Sequence, residues 1–400
     1  MEVNEAIIHQ TKAQIFRRFL KFGLLAWGGP VAQIAMIKKE LVEEEKWITP
    51  EKFNRVLAVY QALPGPEAHE LCVYFGMLAG GRWGGFLAGL GFMLPGFVLI
   101  LLLTAFYITF GIKSPLVLAV FVGFQIAVIA LIIRAVHRIG EHILTNYRLW
   151  IIAIVSGIAF FLGAHFLIIL VTAGISYIFW MRKNVIVTTL LGFALLLYSI
   201  LSFSPETLQP IINTEATASG FHQGTPLQIF LSGLKGGLLT FGGAYTLIPI
   251  MQQDAVITNA WMTHQQFLDG IALSGLLPAP LVIFATFVGY FGGGWLGAIL
   301  ITIGIFLPAF SFTLIGYHIM ERIIAKPSLH NFLDGISAGV IGLIAVTALQ
   351  LFRATINDWL SLLICVLSLF ILYRFKSKFV IIFVIIGAGM LSLLWHRLFL

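Results

Sequence analysis

The chain carries nearly the same pattern twice, with the second copy about 214 residues after the first. The repeated positions are Gly28-Gly29 and Gly242-Gly243, Trp47 and Trp261, Pro64 and Pro278, and Pro66 and Pro280. Glycine and proline interrupt both copies at matching places in otherwise apolar sequence. In a membrane chain, corresponding broken helices in two halves indicate where a transporter binds its substrate.

Composition places the chain in a membrane. Hydrophobic residues make up 59% of the 400 residues and charged residues only 10%, whereas soluble domains carry roughly 25% charge. The apolar runs are continuous rather than alternating, which favours helices and excludes a β-barrel. Both cysteines lie in apolar stretches, so neither a disulfide nor a metal site is expected. The net charge of +7 indicates a positive-inside bias rather than nucleic-acid binding.

The sequence predicts an all-α polytopic protein built from two homologous six-span halves. A spanning helix needs about 20 mostly apolar residues. The candidate spans are 19–37, 57–80, 84–110, 114–136, 149–163, 164–181, 184–203, 228–250, 266–291, 294–319, 332–352, 358–373 and 379–396. Because 184–203 has no counterpart, it reverses the second copy and predicts an inverted repeat with 12 or 13 spans. The predicted units are 1–183, a linking span and external loop at 184–227, and 228–400.

Charged residues predict the orientation. With the N-terminus on one side, the loops of that side hold 14 Lys and Arg, against 8 on the other side. The segment 38–55 opposes this bias, although its five basic residues accompany five glutamates. We therefore expect a multi-pass protein of the cell membrane (inner or plasma membrane) with a cytoplasmic N-terminus. Thr49, with Pro50 at the first helical position, is expected to cap a helix, and Thr263 is expected to do the same in the second copy.

The Gly-Gly pairs and Pro-x-Pro segments predict broken or re-entrant helices. Adjacent glycines expose backbone N–H groups that can face an anion together with a helix N-terminus. The alternative is close helix packing through small residues. The repetition beside prolines favours the anion site, and the predicted substrate-binding residues here are Gly28, Gly29, Pro30, Pro64, Gly65, Pro66, Gly242, Gly243, Pro278 and Pro280.

Three ionisable residues follow the first Pro-x-Pro segment. Glu67, His69 and Glu70 lie in an apolar stretch, where ionisable groups are expensive and usually functional. The second copy has Leu281, Ile283 and Phe284 at these positions. Simple capping of the next helix is the alternative. We predict that the three residues of the first copy bind protons.

A lysine precedes each Gly-Gly pair by seven residues. Lys21 and Lys235 lie nearly two helical turns before the glycines and so on the same face. Lys21 also fits a residue that snorkels to the interface beside Arg17 and Arg18. Lys235 has no charged neighbour in sequence, and we predict that both lysines help to bind an anion.

The other charged residues of interest are expected to be peripheral. Arg134 and Arg138, with His137, are interpreted as cytoplasmic charges next to the membrane. Asp254, Asp269 and Asp334 lie near span ends and are expected to be solvated or capping.

Three motifs resemble the chromate ion transporter family in its long, two-domain form. They are FGLLAWGGPVAQI at 22–34, QALPGPEAHELCVYFG at 61–76 and GGRWGGFLAGLGFMLPG at 80–96, and the second copy reads LKGGLLTFGGAYTLIP at 234–249. The resemblance covers residues 16–110 and 228–320. It implies a two-half carrier that exports chromate with coupling to the proton gradient. The family's motif residues map onto Gly28, Gly29, Pro30, Pro64, Gly65, Pro66 and Glu67.

The sequence therefore predicts a proton-coupled secondary transporter, an antiporter for an inorganic oxyanion, with chromate first and sulfate or another oxyanion as the alternative. Protons, the oxyanion and the lipid bilayer are its expected partners; a homodimer is left open, and no cofactor is expected. An anion channel is the second alternative. An intramembrane enzyme is disfavoured because no nucleophile–base pair and no metal cluster is present at helical spacing.

Overall fold

The structure is a computed structural model that describes residues 10–111, 114–201, 223–241, 243–324, 327–375, 377 and 379–399. The regular elements of these residues are all helical, as predicted. The first copy contains α1 (Lys12–Leu24), α2 (Gly29–Ile37), α3 (Pro50–Ala62), α4 (Glu67–Phe106), α5 (Pro115–Ile143), α6 (Tyr147–Phe161) and α7 (Phe166–Met181). The single helix α8 (Val185–Leu201) follows.

The second copy repeats the first helix by helix. Its elements are α9 (Pro226–Leu239), α10 (Leu247–Gln252), α11 (His264–Gly275), α12 (Phe284–Ile324), α13 (Pro327–Thr355), α14 (Trp359–Arg374) and α15 (Val380–Phe399). The predicted caps are confirmed, since the Thr49 hydroxyl accepts from the Lys52 N–H and the Thr263 hydroxyl from the Gln266 N–H. Each helix of α1–α7 therefore has its counterpart in α9–α15, and α8 has none.

The helix breaks lie where the sequence predicts them. Helix α1 ends at Leu24 and α2 begins at Gly29, while α3 ends at Ala62 and α4 begins at Glu67. In the second copy the chain is likewise interrupted before Ala244 and between α11 and Leu281. Glycine and proline cause these breaks because the first permits left-handed backbone and the second removes a donor.

The first break reverses the chain, so the predicted span 19–37 is wrong. Arg18 forms an ion pair with Glu45 at 2.5 Å and Lys21 lies 3.6 Å from Glu40. Residues after Gly28 therefore run back beside α1. Because α1 has only 13 residues, about 20 Å of helix, it is too short to cross a bilayer core of ~30 Å.

The second break also reverses the chain, and the predicted span 57–80 is wrong for the same reason. The Phe53 and Phe75 rings stack with centroids 6.4 Å apart, and Trp47 contacts Phe75 at 6.0 Å. These residues lie on opposite sides of the Pro64-x-Pro66 break, so α3 and the start of α4 are antiparallel. The ion pair between Lys235 and Asp254 and the packing of Phe287 on Gly270 mark the corresponding hairpins in 228–250 and 266–291.

Helix α4 folds back on itself at Gly80-Gly81. Gly81 has φ 62°, and its two limbs, α4a (67–79) and α4b (82–106), pack so closely that a Cβ atom at Gly84 would lie 2.3 Å from the Gly76 carbonyl oxygen. Helix α12 repeats the fold at Gly293-Gly294, where φ of Gly294 is 58°. We call its limbs α12a (284–292) and α12b (295–324).

Five helices of the described residues are long and apolar enough to cross a membrane. They are 67–110, 115–143, 281–316, 328–355 and 380–398. The first has 44 residues, about 66 Å if straight, but it folds back at Gly80-Gly81, so only α4b is long enough to cross a bilayer. Four shorter apolar helices, Tyr147–Phe161, Phe166–Met181, Val185–Leu201 and Trp359–Arg374, accompany them. The chain is therefore a polytopic membrane protein.

The two copies contact each other reciprocally. A Cβ atom at Gly65 would lie 3.4 Å from the Cβ of Ala309, and a Cβ atom at Gly96 would lie 2.4 Å from that of Ala279. Position 65 corresponds to 279, and 96 corresponds to 309. Gly96 and Ala309 each follow a proline inside a long helix, Pro95 in α4 and Pro308 in α12. Each Pro-x-Pro segment thus packs against the corresponding residue of the other copy, an exchange that a two-fold relation produces.

The tips of the two folded helices lie at opposite ends of α4b. The first tip, at Gly80-Gly81, immediately precedes α4b. Tyr107 follows its other end and contacts Phe287 at 5.4 Å and Phe291 at 6.4 Å, next to the second tip. Helices α4b and α12b therefore lie side by side with their tips apart.

Candidate functional site

The Pro-x-Pro segment of the first copy meets the Gly-Gly segment of the second copy. The Gly65 N–H donates to the carbonyl oxygen of Thr240 at 2.9 Å, three residues before Gly243. Gly65 has φ 146° and Gly243 has φ 124°, values that favour glycine. The predicted site residue Gly242 lies outside the described residues.

The reverse combination forms a pocket. The Gly-Gly segment of the first copy, from Trp27 to Pro30, lines it together with Ala279 of the second Pro-x-Pro segment. Ser274 and Gly275, at the end of α11, and Tyr245 complete the polar part of its wall. The structure therefore brings Gly28, Gly29 and Pro30 together with Pro278 and Pro280, which flank Ala279.

The backbone of both Gly-Gly segments is uncovered at one glycine. No heavy atom lies within 4 Å of the position that a Cβ atom would take at Gly29 or Gly243. Gly28, in the left-handed conformation with φ 92° and ψ 12°, is the N-cap of α2. The first N–H groups of a helix have no partner in that helix, and the positive end of its dipole favours an anion. A ligand can therefore approach the start of α2 without a side chain in between.

The three predicted proton-binding residues lie at the start of α4, between the copies. Glu70 is fully buried, and neither of its carboxylate oxygens has a hydrogen-bond partner among the described residues. A Cβ atom at Gly65 would lie 3.0 Å from Glu70 Oε1, so the carboxyl group lies against the Pro-x-Pro segment. Glu67 is partly buried and lies within electrostatic range of Glu70.

His69 is held in an apolar environment. Its ring lies 4.9 Å from that of Phe306 and 4.6 Å from that of Phe310, both in α12b. The side chain is fully buried, and the backbone of Gly89 lies nearby but outside hydrogen-bond geometry. An imidazole that has no hydrogen-bond partner among the described residues is costly to bury between the two copies, which favours a function beyond packing.

The lysines differ from the prediction, which assumed that Lys235 is unpaired. Lys235 forms a salt bridge with Asp254, which also accepts from the Ser232 hydroxyl at 2.8 Å. Asp254 is only 6% exposed, so its interpretation as a solvated residue is wrong. Lys21 lies 3.6 Å from Glu40, which occupies the position equivalent to Asp254. Each lysine is thus paired with an acid of its own copy and does not line the pocket.

Arg134 is a candidate that the sequence interpretation placed outside the membrane. It belongs to α5, one turn after Leu131, which lines the pocket. The residue is partly buried and lies within electrostatic range of Tyr245 and Tyr373. Among the described residues it forms no salt bridge. The sequence contained the signal, because position 134 falls inside the predicted span 114–136.

The lysine pairs predict unequal effects of equivalent substitutions. Lys235→Ala leaves the buried Asp254 without a cation, which costs about 3 kcal/mol. Lys21→Ala removes an exposed pair, since the Lys21 side chain is 61% exposed, and costs ~0–1 kcal/mol. Thermal unfolding of the purified protein in detergent should therefore show a much larger decrease in Tm for Lys235→Ala.

The double variant Lys235→Ala/Asp254→Ala is the matched control, because it removes both charges and should recover most of the lost stability. Equal Tm values for the two single variants, with oxyanion binding lost in both, would instead mean that the lysines contact the anion.

The chain is similar to known proteins over almost its whole length. The family described as Chromate transporter matches residues 13–202 and 227–393. The Chromate transport protein of Pseudomonas aeruginosa is 51% identical over 384 residues, which cover 94% of this chain and 91% of that protein. The Chromate transport protein of Cupriavidus metallidurans is 28% identical over 97% of this chain and 94% of its own length. The Probable chromate transport protein of Synechococcus elongatus is 28% identical over 94% of this chain and 95% of its own. No solved structure matches. Because the family matches both copies, the chain belongs to the chromate transporter family.

Proposed function

We propose that this chain is a proton-coupled secondary transporter that exports chromate across the cell membrane. The observation that carries the proposal is the meeting of helix breaks from both copies at one region, with uncovered backbone at Gly29 and Gly243. Chromate is chosen because relatives over nearly the whole chain are named Chromate transport proteins. Sulfate has the same charge and shape and is the alternative substrate.

The anion site is assigned to backbone and one side chain. A dianion beside Gly28–Pro30 would face the N-terminus of α2, where unpaired N–H groups bind anions. Arg134 supplies a planar donor one turn from the pocket, and arginine suits oxyanions because its donors match two oxygens at once. Lys21 and Lys235 are assigned to holding the hairpins, since each is already neutralised by an acid.

Arg134 gives a test of this assignment. We expect Arg134→Gln to weaken oxyanion affinity by ~1.5–3 kcal/mol, the usual value of a hydrogen bond to a charged group. Arg138→Gln is the matched control, because Arg138 lies one turn later on α5 and is exposed. Binding is measured by isothermal titration with chromate and with sulfate in detergent. Equal affinities for both variants and the parent would remove Arg134 from the site.

Proton coupling is assigned to Glu67, His69 and Glu70. Carboxylates next to an anion repel it, so protonation of Glu70 should raise anion affinity, and by linkage the anion should raise proton affinity. An inside-negative potential also drives a dianion outward, by ~2.3 kcal/mol per charge for each 100 mV. Under this linkage the proton accompanies the anion and the membrane potential drives export. Antiport, which the sequence predicts, would instead require that protonation of Glu70 lower the affinity for the anion.

Counterflow in proteoliposomes tests the substrate, the carrier mechanism and the role of Glu70. Labelled chromate, sulfate and molybdate are offered with and without a pH gradient. We expect saturable chromate flux that depends on the gradient in the parent, and binding without gradient dependence in Glu70→Gln, because the amide cannot titrate. Non-saturable flux would identify a channel, and stimulation by sulfate alone would replace chromate as substrate. Normal proton-driven flux in Glu70→Gln would exclude this residue.

The two copies are proposed to form an inverted repeat with the N-terminus in the cytoplasm and with units 1–183, 184–227 and 228–400. The reciprocal contacts of Gly65 with Ala309 and of Gly96 with Ala279 support this arrangement. The opposite placement of the two folded-helix tips supports it as well. Such a relation would let the same rocking motion expose the central site to either side.

Single cysteines at equivalent loops test the inversion. Thr145, after α5, and Asn357, after α13, are both exposed. With the buried Cys72 and Cys365 replaced by alanine, Thr145→Cys should react from the cytoplasmic side and Asn357→Cys from the external side. Labelling with an impermeant thiol reagent in intact cells and inverted vesicles measures this. Reaction of both from the same side would mean parallel copies.

A further inference from the structure

Asp269 of α11 joins the two copies. Its side chain is 3% exposed. The Tyr107 hydroxyl donates to Asp269 Oδ2 at 2.6 Å, and the Gln125 side-chain N–H donates to Oδ1 at 2.9 Å. The expectation of a solvated or capping residue is therefore wrong. Both donors belong to the first copy, so this carboxyl group connects α11 to the end of α4 and to α5.

The connection exists in one copy only. The position equivalent to Asp269 in the first copy is Arg55, which is exposed on α3. The two copies share their helices but not this contact. A link made once, across the interface between copies, acts on the relation of one copy to the other rather than on the stability of either.

The surroundings of Asp269 contain two neutral donors and no cation among the described residues. Helix α5 contributes Gln125, and the turn after α4 contributes Tyr107. The Tyr107 ring is enclosed by Phe121 of α5 at 5.0 Å and Phe287 of α12a at 5.4 Å. Among the described residues, Asp269 forms no ion pair, and no charged group acts on it electrostatically.

The one other titratable group on α11 lies at its start. His264 is hydrogen-bonded to Gln252 at 3.2 Å and is five residues from Asp269. An ionised carboxylate without a cation is costly inside a membrane. Neutral hydrogen bonds lower that cost without removing it, so a proton is the ligand that this environment accepts.

The same helix forms part of the pocket. Ser274 and Gly275 of α11 line it, about one and a half turns beyond Asp269. The charge on Asp269 therefore bears on the position of the pocket wall. Hydrogen bonds to an ionised group are roughly twice as strong as neutral ones, so the deprotonated carboxylate holds α11 against the first copy more firmly than the neutral acid does.

We propose that Asp269 is a proton-binding residue whose charged form holds α11 to Tyr107 and Gln125 and whose protonation frees α11 and opens the pocket wall at Ser274. This deepens the proposed proton coupling and rests on it, but it places a proton site apart from Glu67, His69 and Glu70. The protonated Asp269 has a single O–H group, which can donate to the Tyr107 oxygen. The Gln125 N–H then donates to a neutral carboxyl oxygen instead of a charged one.

Thiol reactivity at the pocket wall tests the proposal. Ser274→Cys, with Cys72 and Cys365 replaced by alanine, is labelled with a soluble thiol reagent whose rate is corrected for pH with a free cysteine peptide. We expect corrected labelling to rise about tenfold between about pH 8 and about pH 5, the factor that loss of one charge-assisted hydrogen bond gives. Asp269→Asn should show the fast rate at every pH.

Two further variants keep the test decisive if Asp269→Asn does not fold. Tyr107→Phe and Gln125→Leu each remove one donor and keep the carboxyl group, and each should raise labelling at high pH. Glu70→Gln is the control. It should leave the pH response of Ser274→Cys intact even where proton-driven transport is lost, which separates this proposal from the proposed function. A pH-independent labelling rate in the parent, or an unchanged response in all three Asp269-network variants, would overturn the assignment.

Discussion

The structure depends on one constraint: inside a bilayer, every backbone N–H and C=O group must be hydrogen-bonded within the protein. A helix that ends inside hydrocarbon leaves N–H and C=O groups that only protein can cover. Helices α1, α3, α9 and α11 all end within apolar sequence, shortly before a glycine or proline break. The copies cover one another, because the Gly65 N–H donates to the Thr240 carbonyl and Ala279 packs against Gly96. Neither copy could expose these ends to lipid alone, so the repetition is a physical requirement of the broken helices.

The two copies share their backbone arrangement but carry different ionisable residues. The first copy holds Glu67, His69 and Glu70 at the start of α4, where the second has apolar side chains. The second copy holds the buried Asp269, where the first has an exposed arginine. Strict identity would have doubled every buried charge in a low-dielectric region, and each would have needed its own compensation. Because the copies differ, each of these polar groups is present at the interface once rather than twice.

Sequence predicted the features that depend on neighbouring residues. The breaks at Gly28-Gly29 and Pro64-x-Pro66 and the Thr49 cap were predictable because glycine, proline and threonine act within a turn. Hydropathy measures length and not direction, so it could not distinguish a hairpin from a span. The partners of Asp269 lie 162 and 144 residues away in sequence, beyond any local pattern. The ion-pair partner of Lys235 could have been predicted, because Glu40 and Asp254 are separated by the same 214 residues as Lys21 and Lys235.

The folding of α4 at Gly80-Gly81 bears on how the protein enters the membrane. Its first limb, α4a, has about 13 residues and is too short to be held in the bilayer as a span. The surface it packs on, which includes Gly84 and Gly85, belongs to α4b and leaves the ribosome later. The insertion machinery must therefore retain or readmit α4a until α4b is complete. The two limbs of α4 would consequently integrate together as one unit rather than one after the other.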